Sequence, residues 1–207
     1  MLISTLLRQG IKIEAISVLS AVSSEGRKFD VPIVLDSNVE RNWSNNECYL
    51  INGVGVKPGE NSRRLVFEEW TTRGYSILNV VHPTAIIETV LPDFFDIQIM
   101  ANSTLQAGVI LGRSVIVNTG SVVEHECSLG DFVFIGPNAT LCGKVSVGVN
   151  TFIGAAATVL PNVSIGSNVI IGAGSVVTRN VPDNTSVIGA PARAVESVVK
   201  KSSIDDI

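Results

Sequence analysis

The chain has 207 residues, room for one large domain or two small ones. Its formal charge of −4 at pH 7 leaves no basic face for nucleic acid. Aromatic residues make up only 5%, while Val, Ile, Gly, Ser, Thr and Asn abound, a composition suited to strands and tight turns rather than a helical bundle. Cys48, Cys127 and Cys142 form no CxxC pair and no metal spacing, so they read as reduced thiols of a cytoplasmic protein that needs no metal.

The first residues hold a short apolar run broken by Arg8 and Lys12, which predicts neither a signal peptide nor a membrane span. "ISTLLRQG" reads as a helix ended by Gly10. "IKIEAISVL" alternates like a strand, and "VPIVLDS" is a short strand or loop. "ECYLINGVGV" reads as an apolar strand running into Gly53-Val54-Gly55. "NSRRLVFEEWTTRGY" is an amphipathic helix with Gly74 near its end, and "SILNVV" another strand. Alternating strands and helices predict a small parallel α/β domain over residues 1–82. It is an incomplete Rossmann-like unit, because no strand with a Gly-rich turn precedes the first helix. Gly53 and Gly55 follow a strand near a helix start, where backbone can approach a substrate closely; a plain turn fits equally well.

From Ile99 the chain falls into sixes, beginning IMANST, LQAGVI, LGRSVI, VNTGSV, VEHECS. The first position is Ile, Leu or Val in fourteen consecutive hexads; the fifth is Val, Ser, Thr, Ala or Cys. Six matches neither a helix nor a single strand. It matches a triangular solenoid with three sixes to a coil, large aliphatics and small residues pointing inward, and Gly or Asn at corners of unusual φ. The predicted fold is a parallel β-helix over residues 83–187, followed by a C-terminal loop and a short helix with Lys200 and Lys201 over 188–207.

In this register Val123 and Cys127 point inward, which leaves His125 and Glu126 outside. A corner histidine is either a solvated side chain or a general base, and a neighbouring carboxylate can fix its tautomer. Gly143 stands eighteen residues, one coil, beyond His125. A glycine there leaves its N–H open to a carbonyl oxygen, so a base and an oxyanion donor adjoin, as acyl transfer requires. Pro137, Ala155 and Ala173 form a second ladder of compact residues able to flank a thin ligand. Near the end, "IGAPAR" supplies Pro191 and Arg193, the latter able to meet phosphate.

Four stretches carry a family resemblance: "HPTA" at 82–85, "VNTGSVVEHEC" at 117–127, "GVNTFIGAAATVLPNV" at 148–163 and "IGAPAR" at 188–193. With them the chain resembles the hexapeptide-repeat sugar acyltransferases, which include the sialic acid O-acetyltransferases and the nucleotide-linked 4-amino-sugar N-acetyltransferases. The resemblance runs from about residue 10 to 197. It implies a left-handed β-helix and a homotrimer with acetyl-CoA between neighbouring subunits. It also implies His125 as general base, Glu126 as its orienting carboxylate and Gly143 N–H on the thioester oxygen. Asn118 lies near the acceptor; Ala155, Ala173, Pro191 and Arg193 lie along the cofactor. Phe134 stands where related enzymes carry a second histidine against the cofactor, and Leu19 and Ser20 replace an acidic pair. The resemblance implies a sugar acceptor, no metal, no nucleic acid and no membrane. An amine acceptor leads; a sialic acid hydroxyl and a non-catalytic scaffold are the alternatives.

Overall fold

A computed structural model describes residues 2–18 and 33–196. Leu19, Ser20, Lys200 and Lys201, and with them the expected terminal helix, lie outside the described residues. The N-terminal part comprises α1 (Leu2–Arg8), the parallel pair β1 (Ile16–Val18) and β2 (Ile33–Leu35), a short α2 (Val39–Asn42) and α3 (Ser62–Thr72). Gly10 and Gly74 take positive φ at the helix ends, as their places in the pattern require. Val39, Phe67, Trp70, Tyr75 and Ile77 form a small core of their own.

Two expected strands come out differently. "ECYLINGVGV" makes a single parallel bridge, Leu50 to Ile77, and its remainder is irregular. Its backbone groups are satisfied by side chains instead, as described below. "SILNVV" ends in Val80–Val81, which pairs with Gln98–Ile99 and so is the first rung of the solenoid.

The solenoid has three walls of parallel strands, each rung two residues long except the last of wall 1, which has three. Wall 1 stacks Val80–Val81, Gln98–Ile99, Ile116–Val117, Phe134–Ile135, Phe152–Ile153, Ile170–Ile171 and Ser186–Ile188. Wall 2 stacks Ile86–Ile87, Thr104–Leu105, Val122–Val123, Thr140–Leu141, Thr158–Val159 and Val176–Val177. Wall 3 stacks Ile110–Leu111, Ser128–Leu129, Ser146–Val147 and Ser164–Ile165. About six turns result, in the left-handed parallel β-helix class. The second residue of each paired rung is the first position of a hexad and points inward. Ile99, Ile135, Leu141, Ile153 and Ile171 are fully buried, each worth about 1.5–3 kcal/mol against exposure.

Two corner positions divide the work that the sequence reading gave jointly to Gly and Asn. The fourth position takes positive φ, at Asn102, Gly108, Ser114, Gly120, Glu126 and onward every six residues to Gly174. Asn is frequent there because it tolerates this region. The second-position glycines answer to space instead. A Cβ on Gly154 would lie 2.5 Å from the Ala173 nitrogen of the next coil.

The unbroken register fails once. Val181 bridges Ile165, and Ser186 pairs with Ile170, both sixteen residues apart. The last coil is therefore two residues short, and Asn184, not Asn180, takes the positive φ. The expected C-terminal loop is a hairpin: Arg193–Val195 runs antiparallel to Ser186–Ile188 and extends wall 1.

Candidate functional site

His125 and Glu126 sit on the edge between walls 2 and 3, and Gly143 and Lys144 stand directly above them. The ladder pairs that set this are Val123 with Leu141 and Val122 with Thr140. Lys144 N–H donates to His125 O at 2.9 Å, which locks the two corners together. The imidazole lies against the bare glycine: a Cβ on Gly143 would fall 2.5 Å from His125 Nε2 and 2.7 Å from Cε1. Gly143 has an ordinary φ, so only the ring, not the backbone, demands glycine here.

Glu126 occupies a positive-φ corner, φ 59°, where a side chain of its size costs about 1 kcal/mol. The turn aims its carboxylate back at the ring, with Oε2 3.1 Å from His125 Nδ1. Of the two glutamates flanking His125, Glu126 is thus the partner. The hydrogen bond from His125 and the charge of Lys144 hold the Glu126 carboxyl below the usual carboxylate range. An ionised carboxylate only accepts, so Nδ1 donates to it, and Nε2 is the ring nitrogen left beside Gly143. The group is open to solvent, with side-chain exposure of 56% for His125 and 59% for Glu126.

The Gly143 N–H belongs to a set of third-position amides that stand outside the ladder. Two others are capped by an aspartate one coil up. Arg113 N–H donates to Asp131 Oδ1 at 2.8 Å, and Ser167 N–H to Asp183 Oδ1 at 2.7 Å. Above Gly143 the corresponding residue is Pro161, whose side chain holds no acceptor. Among the described residues no group accepts from Gly143 N–H. A proton acceptor at Nε2 and an unclaimed amide donor therefore share one corner.

Two members of this site escaped the sequence reading, Lys144 and Pro161. The signal was present: each lies eighteen residues beyond a residue already singled out, Glu126 and Gly143.

The other histidine has a structural task. His82 is nearly buried, and its Nδ1 accepts from Thr84 N–H at 3.2 Å. Cys127 is the inward corner residue expected, its thiol donating to Cys142 O at 3.2 Å.

The remaining candidates gather elsewhere. Asn118, Pro137, Ala155 and Ala173 lie on the edge between walls 1 and 2. The "IGAPAR" loop caps the same edge: Val176 N–H donates to Gly189 O and Ala192 N–H to Val176 O. Arg193 is exposed there, its Nη1 donating to Ala192 O at 2.9 Å. One wall thus separates this compact strip from His125 within the chain. Phe134 is on wall 1, stacked on Phe152 with centroids 4.7 Å apart, and is not beside His125. Gly53 and Gly55 are exposed, and a Cβ on either would meet nothing. No internal contact therefore explains those glycines. Among the described residues no group of three or more His, Cys, Asp or Glu gathers to hold a metal. No helix among them is long and apolar enough to cross a membrane.

Fold and corner together define a hexapeptide-repeat transferase. Residues 148–179 match the bacterial transferase hexapeptide (six repeats) model. The chain is similar to PerB from Caulobacter crescentus, whose structure was solved with CoA and GDP-perosamine. It is 31% identical over 94% of this chain and 91% of that one, with a TM-score of 0.82. It is similar also to the acetyltransferase domain of PglB from Neisseria gonorrhoeae in complex with acetyl coenzyme A, 27% identical over 94% and 91%, TM-score 0.81. WeeI from Acinetobacter baumannii shares the fold at 19% identity over 93% of both chains, TM-score 0.64. The chain belongs to the hexapeptide-repeat sugar acetyltransferase family and is an acetyl-transferring enzyme.

Proposed function

We propose that this enzyme moves the acetyl group of acetyl-CoA onto the amino group of a nucleotide-linked amino sugar, for surface glycan synthesis in the cytoplasm. His125 Nε2 takes the proton from the amine as its nitrogen attacks the thioester carbon. Gly143 N–H receives the negative charge that develops on the carbonyl oxygen. Glu126 holds the imidazole in the tautomer that leaves Nε2 open and stabilises the imidazolium formed. Collapse of the tetrahedral adduct expels the CoA thiolate, which the proton on His125 can neutralise. No acyl-enzyme and no metal enters the scheme.

The observation that carries the reading is the meeting of His125 Nε2 with the bare, uncapped Gly143 amide. The edges add to it. The compact strip from Ala155 to Arg193 and the His125 corner lie on different edges, so a cofactor touching both runs between two protomers. We therefore propose a homotrimer whose sites lie between subunits, with Asn118, Gly53 and Gly55 on the acceptor side. In this scheme Phe134, on the adjoining wall 1, also lines the cofactor. The PerB complex with CoA and GDP-perosamine supports such a pair of substrates, and the PglB domain complex supports the acetyl donor.

The test is thiol release from acetyl-CoA across GDP-, UDP- and dTDP-linked amino sugars and free sialic acids, with GDP-perosamine first. Turnover confined to amino sugars is expected. Turnover confined to sialic acid hydroxyls would refute the amine. His125→Ala should lower kcat by about 10²–10⁴, the usual contribution of a general base, while leaving the thermal transition in place.

A further inference from the structure

A cluster of polar side chains lies wholly buried where α3 meets the foot of wall 1, outside the site described above. Arg63 and Asp96 form an ion pair at 2.6 Å with side chains 6% and 0% exposed. Ser114 O–H donates to Asp96 Oδ2, and Arg63 Nε donates to Ser114 Oγ at 3.1 Å. Gln98 Nε2 donates to Asn52 O at 2.6 Å, and Asn52 Nδ2 donates to Asp96 Oδ2 at 3.2 Å. Buried ion pairs rarely add net stability over a well-packed apolar set. The cluster must be judged by what it holds in place.

What it holds is the strip around Gly53. Arg63 Nη1 donates to the carbonyls of both Asn52 and Val54, each at 3.0 Å. Val54 N–H donates back to Asn52 Oδ1 at 3.1 Å. The inner face of residues 52–54 is therefore saturated by side chains. Its outer face carries Gly53 and Gly55, both exposed, both of ordinary φ, and both with open space where a Cβ would be. Neither backbone conformation nor packing calls for glycine there. A surface that must receive another molecule at backbone distance does. Asp96, Gln98 and Ser114 belong to the first coils of the solenoid, so the same cluster fixes the strip relative to the walls that carry His125.

We infer that Arg63 is a positioning residue, its forked guanidinium holding the 52–55 backbone as a rigid platform against which the sugar acceptor docks. The inference rests on the amino-sugar reading above. Lysine has the charge to answer Asp96 but a single nitrogen, and cannot reach two carbonyls and Ser114 at once. Arg63→Lys should thus raise the KM for GDP-perosamine at least tenfold and leave the KM for acetyl-CoA within twofold. Gly53→Ala adds one methyl to open space at a permitted φ, so it folds as the parent does. It should raise the acceptor KM at least threefold, with the KM for acetyl-CoA within twofold and the melting temperature unchanged. Should Arg63→Lys fail to fold, Gly53→Ala decides alone. A wild-type enzyme that acetylates the sugar, with every folded variant keeping its acceptor KM within twofold, overturns this inference and leaves the catalytic reading standing. Equal increases in both KM values overturn it likewise. A wild type that acetylates no nucleotide-linked sugar overturns both.

Discussion

Gly143→Ala is the sharpest test of the corner. Its Cβ would lie 2.5 Å from His125 Nε2, against 3.4 Å for ordinary contact, so the ring must recede by about 0.9 Å. Half-exposed, the ring can swing into solvent without opening a cavity. Moving a catalytic group by about 1 Å costs up to 10²-fold in rate, roughly 2.7 kcal/mol of barrier. The fold should feel the reverse. The φ at Gly143 suits alanine, and replacing glycine at such a site stabilises by about 0.4–1 kcal/mol through the unfolded chain. The expected result is a kcat about 10²-fold lower with a melting temperature equal to or above that of the parent. The assays are thiol release under saturating acetyl-CoA and a thermal melt on the same preparations. A kcat within threefold of the parent would refute the claim that Nε2 works from its place against Gly143.

Three further outcomes follow from the same geometry. Pro161→Asp should cap the Gly143 amide as Asp131 caps Arg113, lowering kcat by about 10²–10³, the scale of one lost oxyanion donor, without lowering stability; unchanged turnover would remove that amide from the mechanism. Glu126→Gln should cost about tenfold in kcat with the melting temperature unchanged, because the ring loses the carboxylate that orients it; an unchanged kcat would remove Glu126 from the mechanism. Leu141→Ala empties a fully buried site in the column and should cost about 2–5 kcal/mol in chemical denaturation, with residual activity at low temperature.

Much of the site was legible because a solenoid is nearly one-dimensional. Once the first positions were aligned, adding eighteen to His125 named its neighbour, Gly143, and the same count would have named Lys144 and Pro161. Counting could not choose between Glu124 and Glu126, since both flank the ring in sequence. The positive φ at Glu126 made that choice by turning its carboxylate back onto Nδ1. The same count pairs Phe134 with Phe152, whose rings stack on wall 1. In the N-terminal part the reading was weaker. "ECYLINGVGV" has the composition of a strand, yet its backbone is held by Arg63 and Asn52 side chains, a competition that local pattern does not reveal.

By itself the sequence determined the repeat, the inward column, the corner on which His125 stands and the family to which the chain belongs. Each depends on a period that the backbone of a stacked coil must obey, whatever lies around it. Tertiary structure alone decided which amides stay uncapped, how the Glu126 carboxylate reaches the imidazole, where the last coil loses two residues, and how a buried arginine ties the glycine strip to the walls. Those depend on contacts between segments far apart in the chain, such as Arg63 with Asp96 and Ser114, where direction and distance rather than spacing set the chemistry.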